Sequence, residues 1–232
     1  GRGRGGGRRR PGKRGGPAVR EIKAAAVTEA VAALCIEANA HLPADVEAAL
    51  AAARAAEPWP LAKHTLGLLE KNLEMASACA LPICQDTGMA VVFAELGQEV
   101  HIDGDFEAAV NEGGRRGYGE GYLRKSIVAD PLRRVNTGDN TPAALHLRLV
   151  PGDKLRLTVA PKGFGSENMS RLAMLRPADG VEGVERFVLE TVRLAGPNPC
   201  PPMVLGVGIG GSFDGVALLA KQALLRPLDK AN

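Results

Sequence analysis

The order of the hydrophobic periodicities constrains this chain most. Helical spacing fills the first third, strand-like runs come only later, and no regular strand–helix–strand alternation links them. That order predicts an α+β fold rather than a doubly wound sheet: an N-terminal helical cluster followed by a small mixed β-sheet flanked by helices. Between about 19 and 40, Ile22, Val27, Ala30, Val31, Leu34, Cys35 and Ala38 recur on one helical face. An Ala-rich helix starts near Ala44 and fades before Pro58-Trp59-Pro60. A third covers 61–79, with Leu66, Leu69, Leu73 and Ala76 on one side, and Pro82 ends it.

The run Ala90-Val91-Val92-Phe93 predicts a buried strand over 89–96. A helix is expected over 106–126, although Gly113, Gly114, Gly117, Gly119 and Gly121 weaken its middle. Segments 145–150 and 154–160 read as paired strands joined by the turn Pro151-Gly152-Asp153. A helix over 182–194, a short strand over 204–208 and a last helix over 214–225 complete the pattern. Aromatics make up 3% of the 232 residues, so the core must come from Ala, Val, Leu and Ile.

The net charge of +3 is misleading. Arg2, Arg4, Arg8, Arg9, Arg10, Lys13 and Arg14 crowd residues 1–16 with no acid among them, and subtracting those seven from the 29 basic residues leaves 22 against 26 acidic. The Gly/Arg composition predicts a disordered tail over 1–16. Such a tail can attract RNA phosphates, but no aromatic accompanies its arginines to stack on bases, so nucleic acid is not the expected partner. No window approaches the roughly 20 apolar residues of a membrane span. A basic start without an apolar stretch does not read as a secretory signal, so a reducing cytoplasm is the expected compartment. There, few and clustered cysteines point to metal or catalysis rather than disulfides.

Of the four cysteines, two lie in irregular, proline-bounded segments. Cys84 sits in Pro82-Ile83-Cys84-Gln85-Asp86-Thr87-Gly88, and Cys200 in Gly196-Pro197-Asn198-Pro199-Cys200-Pro201-Pro202. Prolines fix the backbone and remove donors, so each thiol is held in place. Gln85 and Asp86 set an amide and a proton carrier beside Cys84. Cys79 forms a C-x4-C pair with Cys84, but small-residue helix packing explains it as well, and Cys35 belongs to the core of the first helix. The glycine-rich run 206–212 fits neither a dinucleotide nor a P-loop fingerprint; close backbone approach to a ligand or cluster explains it better. Asn136-Thr137-Gly138-Asp139-Asn140-Thr141-Pro142 is a dense polar turn, and Lys162-Gly163-Phe164-Gly165-Ser166-Glu167-Asn168 offers backbone N–H groups. Arg115, Arg116, Arg124, Arg133 and Arg134 crowd one region and could grip a carboxylate. His41, His64, His101 and His146 form no zinc motif.

These motifs, with Leu123-Arg124-Lys125-Ser126, resemble in order those of class I fumarases over about residues 18–230. The likeness is strongest to the α subunit of two-subunit fumarate hydratases and L(+)-tartrate dehydratases. The resemblance implies a hydro-lyase that interconverts fumarate and malate, or alternatively tartrate and oxaloacetate, with a 4Fe-4S cluster as cofactor. It implies Cys84 and Cys200 as cluster ligands and Gln85 and Asp86 as catalytic residues near the open iron. Arg124 and Gly165 would bind the dicarboxylate substrate. It further implies a β subunit or fused C-terminal domain as partner, a dimer of the complete unit, and a place in the tricarboxylic acid cycle. Two departures stand out. Phe164 replaces a usual Gly, and the third cluster cysteine is absent, since neither Cys35 nor Cys79 matches its position. On this reading, residues 17–232 form an α-subunit domain incomplete at its C-terminus.

Overall fold

A computed structural model describes residues 19–231. The Arg/Gly segment 1–16 lies outside them. The described residues form an α+β arrangement of helices and two small sheets. Strand β1 (Arg20–Lys23) leads directly into helix α1 (Ala24–Ala40), and α2 (Ala44–Ala56) and α3 (Pro60–Cys79) follow. Then come β2 (Met89–Gly97), β3 (Val100–Asp103) and α4 (Phe106–Glu120). After a long loop, β4 (Ala144–Val150), β5 (Leu155–Lys162), the single turn α5 (Phe164–Glu167), α6 (Gly180–Ala195) and α7 (Phe213–Ala223) complete the chain. No helix among the described residues is long and apolar enough to cross a membrane.

The core forms where α1 and α4 lie together beside the three-stranded sheet. On α1, Val27, Val31 and Cys35 are buried at four-residue spacing; on α4, Ala109, Val110, Gly113, Gly114, Gly117 and Tyr118 keep the same rhythm. A Cβ at Gly113 would sit 2.6 Å from Val31 Cβ, and one at Gly117 would sit 2.8 Å from Cys35 Cβ. Two of the glycines that weaken α4 as a sequence pattern, Gly113 and Gly117, are therefore its contact with α1. They cost helix propensity but let the two backbones close, and Thr28 Oγ1 donates across the gap to Ala109 O at 3.1 Å. Asp105 caps α4 by accepting from Ala108 N at 2.9 Å. The helix ends at Glu120, with Gly121 as its cap, short of the expected 126.

The sheet corrects the expected hairpin. β4 and β5 do not pair with each other; the strand order is β4-β2-β5, with β2 parallel to β4 and antiparallel to β5. The most apolar strand takes the centre: Ala90, Val91, Val92 and Ala94 are all buried. The turn after β4 instead wraps the end of β2, where Gly97 N donates to Lys154 O at 2.8 Å and Glu99 N to Gly152 O at 3.0 Å. The start of the expected first helix is also a strand, because β1 finds β3 as a parallel partner, with Arg20 opposite Val100. Segment 204–208 forms no strand. It lies along α7 instead, so closely that a Cβ at Gly206 would be 2.1 Å from Ala220 O.

Candidate functional site

The Cys84 loop begins where α3 ends. Ala80 adopts a left-handed conformation (φ 52), and Leu81 N returns to Ala76 O at 3.0 Å, which closes the helix before Pro82. The loop is then pinned along its length. Ile83 N donates to Asn39 O at 2.8 Å, and Asn72 Nδ2 donates to Ile83 O at 2.8 Å. Buried Thr87 donates from Oγ1 to Arg124 O at 3.1 Å, while its own carbonyl accepts from Tyr118 Oη at 2.7 Å. Burial pushes the Tyr118 phenol up, which keeps it a donor.

Gly88 requires glycine twice over. Its φ is +61, and a Cβ there would lie 2.1 Å from Lys162 O at the end of β5. The Gly88 carbonyl accepts from Asn140 Nδ2 at 3.0 Å. Asn140 is 1% exposed, and its Oδ1 accepts from Ser126 N at 2.7 Å and Ile127 N at 3.0 Å. One buried amide thus joins three loops. Nothing in the sequence marks Asn140 for that role beyond its membership of a polar turn. The rest of that turn folds on itself as its composition predicts: Thr141 N donates to Asp139 Oδ1 at 3.0 Å, and Gly138 N to Asn136 Oδ1 at 2.7 Å.

Exposed Cys84 accepts on its sulfur from Asp86 N at 3.4 Å and lies 3.4 Å from Gln85 Oε1. Asp86 is held at both oxygens: Oδ1 accepts from Gly88 N at 3.2 Å, and Oδ2 from Gly165 N at 3.4 Å. Asp86 and Gly165, far apart in sequence, are therefore brought together. Gly165 also faces the second cysteine segment, since a Cβ on it would be 3.3 Å from Asn198 O. Cys200 is exposed, with a left-handed backbone (φ 56), and its N donates to Pro197 O at 3.0 Å. Arg124 is tied to the Cys84 loop through its carbonyl. Its exposed guanidinium makes no hydrogen bond or ion pair among the described residues.

The other candidates separate from this cluster. Cys35 is fully buried, and desolvation pushes its thiol up to about 12. Cys79 is exposed at the end of α3. Arg115 pairs with Glu112, and Arg116 pairs with Glu29 and Glu120, so both arginines are engaged on the helix surface. Gly206 and Gly208 approach the backbone of α7. The described residues contain no group of three or more His, Cys, Asp or Glu arranged to hold a metal ion.

Comparison with known proteins gives this arrangement its context. The family profile of fumarate hydratase (Fumerase) matches residues 28–232. A Methanocaldococcus jannaschii protein named for the alpha subunit of an L(+)-tartrate dehydratase is 39% identical over 209 residues, covering 87% of this chain and 73% of that one. The chain belongs to the fumarate hydratase family. The L(+)-tartrate dehydratase subunit alpha of Escherichia coli K12 is 30% identical over 206 residues, covering 87% of this chain and 68% of its own length. That of E. coli UTI89 is 31% identical over the same length. The fumarate hydratase match contains every loop described above, including both cysteine segments and the Gly163–Glu167 turn between them.

Proposed function

We propose that this fumarate hydratase family member is the cysteine-bearing subunit of a hydro-lyase for four-carbon dicarboxylates. Fumarate hydration to malate is the first reading. Dehydration of L(+)-tartrate to oxaloacetate is the second, favoured by the names of the relatives above. The observation that carries the proposal is the Asp86 carboxylate, locked by two backbone N–H groups beside the Cys84 sulfur.

The two thiols suit an iron–sulfur cluster. Both are exposed, one already accepts a backbone N–H, and they are soft ligands on two loops that both approach Gly165. Cys84 and Cys200 would hold two irons of a 4Fe-4S cluster, and a third ligand would come from outside the described residues. When bound, such a cluster supplies a Lewis-acidic iron at which hydroxide becomes a tolerable leaving group.

This chain's own residues supply orientation and one proton. Gln85 presents its amide to the substrate beside Cys84. Asp86 delivers a proton from a carboxyl oxygen to the departing hydroxyl in dehydration and takes one from water in the reverse direction. The free guanidinium of Arg124 grips a substrate carboxylate with its two-pronged fork. The Gly165 N–H, by fixing Asp86 Oδ2, sets the direction of that proton. The base for the carbon-bound proton belongs to a β subunit or fused domain, and the assembly works in the reducing cytoplasm.

The chain, produced with its β partner and kept anaerobic, should hydrate fumarate or dehydrate L(+)-tartrate. Asp86→Asn should lower kcat by about 100-fold or more, as loss of a positioned proton carrier does. Full activity of Asp86→Asn on both substrates would remove Asp86 from the mechanism.

A further inference from the structure

Behind the Asp86 loop, three charged side chains from three elements meet. Glu167, the last residue of α5, accepts from Lys221 Nζ of α7 at 2.6 Å on Oε1. Lys162 Nζ, at the end of β5, lies 3.5 Å from Glu167 Oε2 and donates to Ser166 Oγ at 2.7 Å. The three side chains are only 15–26% exposed, unlike the helix-surface pair of Arg115 and Glu112. Burial works to raise the Glu167 carboxyl, but the hydrogen bonds and charges of Lys221 and Lys162 outweigh it and hold it below its ordinary value. Removing one partner of such a cluster leaves an uncompensated, half-buried charge.

Its position gives the cluster a consequence. The turn it ties down, Gly163–Glu167, touches both cysteine loops. On one side Gly165 N holds Asp86, and the Lys162 carbonyl abuts Gly88. On the other, Gly165 abuts Asn198 O, and Asn198 Nδ2 reaches Met169 Sδ at 3.5 Å. Lys221 adds a second route to Cys200, because α7 carries the closely packed segment of Gly206 and Gly208 that follows that cysteine. Lys162–Glu167–Lys221 therefore couples strand, turn and helix at the junction of the two thiol-bearing loops.

We propose that Glu167 is a positioning residue that sets the separation of Cys84 and Cys200. The consequence for catalysis rests on the function proposed above; the geometric statement does not. The test uses the full-length chain carrying Cys79→Ala, with nitroxide labels on Cys84 and Cys200, buried Cys35 remaining unlabelled. Dipolar broadening in the electron paramagnetic resonance spectrum then reports the spread of their separation. The parent should give one narrow component. Glu167→Ala should broaden the distribution by about twofold or more, Lys221→Met should do the same, and the pair together should add little to either alone, as expected for groups in one network. Glu167→Gln, which keeps a hydrogen-bond acceptor, should fall between parent and Glu167→Ala. In the assembled enzyme, Glu167→Gln should lower kcat about tenfold while KM stays within about twofold, the mark of misplaced groups rather than lost binding.

The proposal is overturned if Glu167→Ala or Lys221→Met, with helical circular dichroism unchanged, reproduces the parent's broadening. Should Glu167→Ala fail to fold, Lys221→Met decides, because Lys221 sits on α7, a helix that buries no residue. A parent chain that holds no cluster even when reconstituted anaerobically with its β partner, while Glu167→Ala still shifts the label separation, would sink the functional reading and leave this geometry standing.

Discussion

The α1–α4 core and the region from α5 onward are built by opposite means. In the first, helices bury Val27, Val31, Cys35, Val110 and Tyr118 almost completely, and glycine lets the backbones touch. In the second, α6 buries only Gly183 and Ala195, α7 buries no residue, and Val181, Leu189, Ile209 and Phe213 are each more than two-thirds exposed. Order there comes from polar latches and close backbone contacts instead. The difference teaches that close packing and polar tethering divide the chain between them: Cys84, Asp86 and Gly165, the proposed site residues, stand on the seam, joined by the hydrogen bonds of Asp86.

The sharpest way to break this contrast is Gly113→Val. The added carbons meet Val31 within 2.6 Å, and overpacking of a closed helix pair should cost about 3 kcal/mol or more. Urea denaturation should show it as a fall in midpoint at constant m. A loss below about 1 kcal/mol would mean that α1 and α4 are not in close contact.

Asn140→Ala should follow, at about 2–3 kcal/mol, because it strands the Gly88 carbonyl and the Ser126 and Ile127 amides. Unlike Gly113→Val, it should also accelerate amide exchange across 84–88. Unchanged exchange there would show that the loop is held by other contacts.

Cys35 offers a titration of the core. Its folded thiol, pushed from 9.0 to about 12, keeps its proton where the unfolded thiol loses it. The unfolded state then binds fewer protons, so stability falls as pH rises between those values, by at most about 1.4 kcal/mol per pH unit. Stability measured at pH 9, 10 and 11 should decline more steeply in the parent than in Cys35→Ala. Parallel slopes would contradict burial of Cys35.

The smallest effect belongs to the open region. Leu189→Gln, on a 67% exposed side chain, should shift the stability of this chain by no more than about 0.5 kcal/mol. A loss comparable to that of Asn140→Ala would erase the contrast.

Much of this was legible in the sequence. Helical spacing located α1 to α3, the Ala90–Phe93 run located β2, and the proline-bounded segments located the two cysteine loops. Long-range pairing was not legible. β1 is a strand only because β3 lies beside it, and β4 and β5 are separated by β2 because the most apolar strand takes the centre. Gly113 and Gly117 read as weakness until α1 is placed against them. Lys221 joins Glu167 across 54 positions, a distance over which no local pattern operates.

The central claim, that Cys84 and Cys200 are two legs of one cluster mount, is tested most directly by iron. The full-length chain with its β partner should be reconstituted anaerobically with iron and sulfide, and its bound iron and visible spectrum recorded beside Cys84→Ser, Cys200→Ser and Cys79→Ser. The account predicts cluster absorbance in the parent and in Cys79→Ser, and its loss in Cys84→Ser and Cys200→Ser with thermal unfolding unchanged. Parental iron content and spectrum in either Cys84→Ser or Cys200→Ser would contradict it.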